Sequence, residues 1–225
     1  MTVVNWWLQP NAVVIVTDTL MTDEHGTPAA FVQKAHPIPH LDAVISGRGD
    51  ASLIAAWAAY AATRVIARDF DVLSEIAPAM IRNLRDDGAR QDPAPSGSTS
   101  IFMWGWSPRS GRFMGYAYRS GSSFIPELLE DGVMCAPGFE DPCEDIHAAL
   151  HGENVPRALI DALRQQYLEC RRNPDKAGRN NCGGDAMVTS LLRSDDGAVQ
   201  TLSTRVLRFA AYGTDYDAAL TLAGL

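Results

Sequence analysis

Apolar positions along this chain fall first into short β-type runs and only later take up helical spacing. Residues 2–8 and 12–17 are rich in Val, Ile, Trp and Thr, side chains that fit a pleated surface. Gln9-Pro10-Asn11 between them supplies a tight turn, so the two runs are expected to pair as a hairpin. DEHGTP at 23–28 is a second turn. Residues 29–35 and 43–46 read as further strands, joined through the proline-bearing stretch 36–41.

The period then changes. DASLIAAWAAYAATRVIA, residues 50–67, is Ala-rich with Leu53, Ala56, Trp57, Tyr60, Ala61 and Arg64 at helical spacing, and Asp50 stands at its N-cap. Residues 72–84 predict a second helix, disturbed at Pro78. QDPAPSGS at 91–98 is a loop. Residues 99–107 and 112–119 predict a hairpin about Pro108-Arg109-Ser110-Gly111, and 132–136 a short strand. Residues 141–151 and 155–171 read as helices, 173–184 as a polar loop, and 186–193 with 199–207 as a closing hairpin. Strands therefore come in hairpin-linked blocks rather than alternating with helices. That pattern favours antiparallel sheets covered by helix pairs over a doubly wound parallel sheet. No internal repeat or long linker divides the chain, so residues 1–225 are expected to form a single domain.

Adjacent Trp6 and Trp7 must face opposite ways on a strand: one into the core, the other into a further layer or a subunit contact. Trp104 and Trp106 share a face and are expected in the core. Lys and Arg total 19 against 27 Asp and Glu, a net charge of −8. This balance argues against nucleic acid as a partner, which needs a basic face, and against anionic membranes. No transmembrane run and no secretory signal pattern is present, and four cysteines are too few for a disulfide scaffold. The expected location is cytoplasmic, with reduced thiols.

Thr2 follows only Met1. Once Met1 is removed, the Thr2 hydroxyl lies beside its own α-amine, a base within the same residue. Asp18 comes 16 residues after Thr2, at the end of a strand that should pair with the Thr2 strand, and Lys34 comes 16 residues after Asp18, near the end of a third. Adjacent antiparallel strands can gather all three. The lysine ammonium would favour the deprotonated amine and hydroxyl, and the carboxylate would orient it. Taken singly, Asp18 also reads as a turn residue and Lys34 as a solvated strand residue. Ser46-Gly47-Arg48-Gly49-Asp50 follows a strand and precedes a helix, where a glycine N–H can approach a substrate as an oxyanion donor.

These features together resemble the proteasome β-subunit and HslV-type peptidase family of the N-terminal nucleophile hydrolases. The resemblance is carried by Thr2 directly after Met1, the VVIVTD strand ending in Asp18, Lys34, and the strand-ending Ser46-Gly47-x-Gly49-Asp50. It implies a four-layer αββα sandwich. It also implies a catalytic set of Thr2 as nucleophile, Asp18 and Lys34 in support, and Gly47 as oxyanion donor. A first specificity pocket would be lined by Met21, Val32, His36 and Ile45, with an apolar preference on the acyl side. The substrate would be a polypeptide or other amide. Self-association into a ring is expected, an ATP-dependent unfoldase stands among the partners left open, and no metal or organic cofactor is called for. As in the HslV-type enzymes, no propeptide is expected ahead of Thr2.

The match is specific over roughly the first 65 residues and departs later. Where family members carry Gly-Ser-Gly after a mid-chain strand, this chain has Ala136-Pro137-Gly138-Phe139. Where they carry Asp-x-x-Ser-Gly-Gly, it has Arg179-Asn180-Asn181-Cys182-Gly183-Gly184. Two alternatives stay open on these departures: a catalytically silent assembly subunit of the same fold, and a small-molecule amidase of the same superfamily.

Competing signals are weaker. Gly47-x-Gly49 lacks the third glycine and the βαβ context of a dinucleotide site. Arg48-Gly49-Asp50 reads as a chance tripeptide. Cys143, His147 and His151 recur every four residues, with Cys135 nearby, yet lack the glutamate of a metalloprotease helix and the usual zinc spacing. Cys182, in a loop with Lys176 and Arg179, reads either as a reactive thiol or as a buried one.

Overall fold

The computed structural model describes residues 3–23, 25–91, 98–138, 154–172 and 182–224, with side chains from residue 89 to 91 left aside. The N-terminal hairpin forms as expected: β1 (Val4–Gln9) pairs antiparallel with β2 (Ala12–Asp18). Every residue of β2 is buried. It lies mid-sheet and is covered on both faces, so its apolar run shows no alternation. The strand expected at 29–35 is broken in two. β4 (Pro28–Phe31) pairs with β3 (Leu20–Thr22) in a separate ribbon, and β5 (Ala35–Ile38) begins a second sheet. The presumed connector at 36–41 is thus half strand, with a 3-10 turn at Pro39–Leu41.

β6 (Ala43–Arg48) leads into α1 (Ala51–Thr63), where Asp50 Oδ1 accepts the N–H groups of Ser52 and Leu53 at 2.9 and 3.0 Å. The helix stops four residues short of the expected end, where β-branched Thr63, Val65 and Ile66 crowd a helical turn. α2 (Phe70–Gln91) runs through Pro78, longer than the 72–84 expected. A proline inside a helix strips the donor from the carbonyl four residues back. That carbonyl belongs to Ser74, and the buried Tyr118 hydroxyl donates to it instead at 3.2 Å.

Next come β7 (Ser100–Ser107), β8 (Arg112–Arg119), β9 (Pro126–Leu128) and β10 (Gly132–Ala136). α3 (Val155–Arg172), β11 (Asp185–Arg193), β12 (Val199–Arg208) and α4 (Tyr212–Ala223) complete the described chain. Three-residue β9 and all of α4 escape the sequence pattern. The helix expected at 141–151, with Cys143, His147 and His151, lies outside the described residues.

Two five-stranded antiparallel sheets, β10-β1-β2-β11-β12 and β5-β6-β7-β8-β9, stack face to face. Three apolar cores mark the interfaces of an α+β, four-layer αββα sandwich. The first joins α1 and α2 to the β5–β9 sheet through Trp57, Phe70, Ile45 and Met103. The second fills the space between sheets with Trp6, Ile15, Phe102 and Trp104. The third seats α3 on the other sheet through Val14, Val16, Leu159 and Leu163. Trp6 faces the inter-sheet core and Trp7 the α3 layer, as strand alternation requires. Trp104 is fully buried with Trp106 packed beside it. α4 packs on the β3–β4 ribbon, Tyr212 lying 4.8 Å from Phe31, and is joined to α3 by Arg171 and buried Asp215 at 2.6 Å.

Candidate active site

Asp18 ends β2 with its carboxylate wholly out of water. Among the described residues, three donors converge on it. Oδ1 accepts from Lys34 Nζ at 2.8 Å and from the Val3 N–H at 3.2 Å, and Oδ2 accepts from the Gly183 N–H at 3.2 Å. Lys34 Nζ also donates to the Leu20 carbonyl at 2.5 Å. A buried carboxylate so surrounded keeps its lone pairs occupied, which a buried ion pair needs to offset desolvation.

Lys34 reaches Asp18 by a route other than the one expected. It belongs to no strand of the Asp18 sheet but sits in the break between β4 and β5. Val32 N–H, bonded to the Thr19 carbonyl at 2.8 Å, ties this break to the end of β2. Ser46 Oγ, also buried, donates to the Lys34 carbonyl at 2.7 Å. The sequence alone assigns Ser46 no role, although it stands in the Ser46-Gly47 motif.

Gly47 sits beside this clamp. The Trp106 N–H donates to the Asp42 carbonyl at 3.0 Å, so Asp42, Val44, Ser46 and Arg48 are the residues bonded to β7. Gly47 falls between two of them, and its N–H is directed to the opposite side, the β5 edge, at the level of Lys34. A Cβ at Gly47 would come within 2.7 Å of the Ser100 carbonyl oxygen and 2.9 Å of Ile54 Cδ1. The packing admits only glycine there.

The loop before β11 closes the site from the other side. Besides its N–H on Asp18, Gly183 accepts at its carbonyl from the N–H groups of Thr19 and Leu20 at 3.3 and 3.2 Å. Cys182, next to it, is buried. Burial first, and the Asp18 charge second, push its thiol well above the ordinary range, outweighing the opposite pull of Lys34. It is therefore a protonated, poorly nucleophilic thiol, and of its two sequence readings the buried one holds. Lys176 and Arg179 lie outside the described residues, as do Met1 and Thr2. Cys135 is likewise pushed up to about 12 by burial. Among the described residues no cluster of three or more potential metal ligands occurs, and no helix is long and apolar enough to cross a membrane.

The four residues expected to line a specificity pocket lie on the segments next to Asp18 and Lys34 and on β6, with different exposure. Met21 follows Leu20, whose carbonyl holds Lys34, and Val32 is bonded back to Thr19; both are half-buried. His36 is half-buried and pairs across the ladder with Ile45. Burial lowers the His36 imidazole below its ordinary value of 6.5. Ile45 is fully buried in the helix-side core, so it supports this surface from beneath.

No protein-family model and no curated relative matches the sequence. Among solved structures, the chain is similar to Anbu (ancestral beta-subunit) from Yersinia bercovieri, with a TM-score of 0.61. The superposition covers 100% of this chain and 94% of that one, at 10% identity. At that identity the likeness is one of fold, and the fold is of the proteasome type.

Proposed function

We propose that this protein is an N-terminal threonine hydrolase that cleaves amide bonds through an acyl-enzyme and works within a ring of like subunits. One observation carries the reading: the Asp18 oxygen that holds Lys34 also accepts the Val3 N–H. The peptide unit directly after Thr2 is thereby tied to a buried ion pair. With Met1 removed, Thr2 Oγ attacks the substrate carbonyl while its proton passes to the α-amine. The Lys34 charge favours the alkoxide, and the Gly47 N–H receives the developing oxyanion. Collapse expels the amine, which takes the proton, and leaves an ester on Thr2. Water then attacks that ester, giving its proton to the same α-amine, and frees the threonine. Met21, Val32 and His36 would line the acyl-side pocket over Ile45. Leu192 and Leu202, 44% and 62% exposed on one face of β11 and edge strand β12, support self-association.

The silent-subunit reading draws on a missing serine and a missing aspartate: Ala136-Pro137-Gly138 stands where family members have Gly-Ser-Gly, and Arg179 and Cys182 stand where they have the Asp and Ser of Asp-x-x-Ser-Gly-Gly. Two measurements separate the readings. Intact-mass analysis is expected to show loss of Met1, and Thr2→Ala to reduce turnover of unstructured polypeptides or small amides to background. Retained Met1, or equal turnover by wild type and Thr2→Ala, ends the hydrolase reading.

A further inference from the structure

Gly183 touches both groups that hold Lys34. Its N–H donates to Asp18 Oδ2 at 3.2 Å, and its carbonyl accepts the Thr19 and Leu20 N–H groups at 3.3 and 3.2 Å. The Lys34 ammonium is gripped by Asp18 Oδ1 at 2.8 Å and by the Leu20 carbonyl at 2.5 Å. A shift of the Gly183 segment therefore carries the carboxylate and the carbonyl with it. Unlike Gly184, Gly183 does not sit at positive φ, so its backbone conformation does not demand glycine. Its surroundings do. A Cβ there would stand 3.0 Å from Asp215 Oδ2, 3.0 Å from Leu20 Cδ2 and 3.5 Å from Arg171 Nη2. An ion pair from two other elements is thus seated directly on Gly183.

Asp215 lies in the first turn of α4 and is buried, and its Oδ2 accepts from Arg171 Nη2, near the end of α3, at 2.6 Å. Both partners are fixed from outside. The Arg171 guanidinium lies 5.4 Å over the Tyr167 ring, and the Tyr167 hydroxyl accepts the Ala211 N–H at 3.3 Å where α4 begins. On its far side α4 is held by Tyr212, 4.8 Å from Phe31 of β4. A buried carboxylate costs several kcal/mol to desolvate and is tolerated only with good geometry. An apolar residue would anchor α4 without that cost, as buried Ala219 does one turn later. The charged pair instead supplies a stiff abutment for one peptide segment. We infer that Arg171 and Asp215 are positioning residues, which fix Gly183 and through it the Asp18–Lys34 clamp. The inference rests on the hydrolase reading for its catalytic consequence, and it makes the last helix part of the active-site support.

Full-length wild type, Asp215→Asn, Arg171→Gln and Arg171→Lys are compared well below their melting temperatures. The Arg171 side chain is 42% exposed, so Asp215→Asn returns its charge to solvent rather than stranding it. Amide hydrogen exchange at Gly183, followed by NMR, reads the brace without turnover. Asp215→Asn and Arg171→Gln are each expected to speed it by about tenfold or more, beyond any change at Val14 and Ile15 in mid-sheet. Turnover of an unstructured polypeptide reads the consequence. In both variants kcat per folded molecule is expected to fall by about tenfold or more with KM within about twofold, and Arg171→Lys, which keeps the charge, to recover most of it. A lower Tm with Gly183 exchange and kcat as in wild type would reduce the pair to a helix anchor and overturn the inference. Faster exchange with unchanged kcat, in an enzyme that depends on Thr2, overturns it too. If Thr2→Ala turns over like wild type, the hydrolase reading fails, and the exchange at Gly183 alone decides whether the pair is a brace.

Discussion

The Asp18 carboxylate and the Gly183 amide, 165 residues apart in sequence, meet at 3.2 Å. The other end of that carboxylate holds Lys34 and the Val3 amide. The start of the chain, the break before β5 and the loop before β11 therefore share one buried anion, and their relative positions depend on its charge.

Asp18→Asn keeps the shape and removes the charge, leaving the Lys34 ammonium, 7% exposed, without its carboxylate. Breaking a buried pair from one side costs about 3–5 kcal/mol, which for a chain of this size lowers Tm by roughly 6–20 °C. Thermal melts of Asp18→Asn, Lys34→Met and the double variant check this. The double variant is expected to be more stable than the sum of the single losses implies. Strict additivity would show that the two groups do not stabilise each other.

Gly184, next to the Asp18-binding amide, has φ of +76°, and a Cβ there would lie 2.3 Å from Thr19 Oγ1. Thr19 Oγ1 accepts the Asp185 N–H at 2.8 Å, so it cannot withdraw without losing that bond. Gly184→Ala is expected to lose about 1–3 kcal/mol in urea unfolding. Gly88, exposed within α2 with nothing near its would-be Cβ, is the control. Gly88→Ala is expected to gain about 0.5–1 kcal/mol. A Gly184→Ala variant as stable as wild type would mean the loop is not held as described.

Much of this was legible in the chain because it is local. The Gln9-Pro10-Asn11 hairpin, the Asp50 cap and the strand end at Asp18 follow from neighbouring residues, and each stands where the sequence places it. What was not legible depends on distant partners. The break that brings in Lys34 rests on Thr19 and Ser46, and the bond to Oδ2 of Asp18 rests on Gly183. α4 hides because Gly213 and Thr214 weaken its start and its buried Asp215 looks like a surface residue until Arg171 is seen beside it. That Ser100 pairs with both Arg48 and Arg119 emerges only once three strands are in register.

The pH response of stability should carry a His36 component. Burial lowers its folded pKa below 6.5, so in acid the unfolded chain binds a proton that the folded one resists. This contribution is complete above about pH 6.5 and is lost as pH falls through that value toward the folded pKa. Between about pH 7 and 5, wild type is expected to lose stability more steeply than His36→Gln. Parallel denaturation curves across that range would show that His36 titrates alike in both states.

Cys182 gives a direct readout of loop packing. Its burial and raised thiol pKa predict negligible alkylation by iodoacetamide in the native protein and rapid reaction after unfolding. Peptide mapping of the labelled sites measures both. Native labelling of Cys182 at the rate of an exposed thiol would place the loop away from Asp18.

α2 survives Pro78 by exchanging one donor for another. The Ser74 carbonyl, deprived of its helical donor, takes the Tyr118 hydroxyl. Tyr118→Phe removes that donor and is expected to cost about 1–3 kcal/mol, the penalty of a buried carbonyl left without a partner. Pro78→Ala restores the backbone N–H to the same carbonyl. In that background Tyr118→Phe should cost clearly less, because the acceptor is already satisfied and the phenol has lost its partner in any case. Chemical denaturation of the four proteins completes the cycle. Equal costs of Tyr118→Phe in both backgrounds would mean that the hydroxyl does not stand in for the missing amide, and that α2 tolerates Pro78 for some other reason.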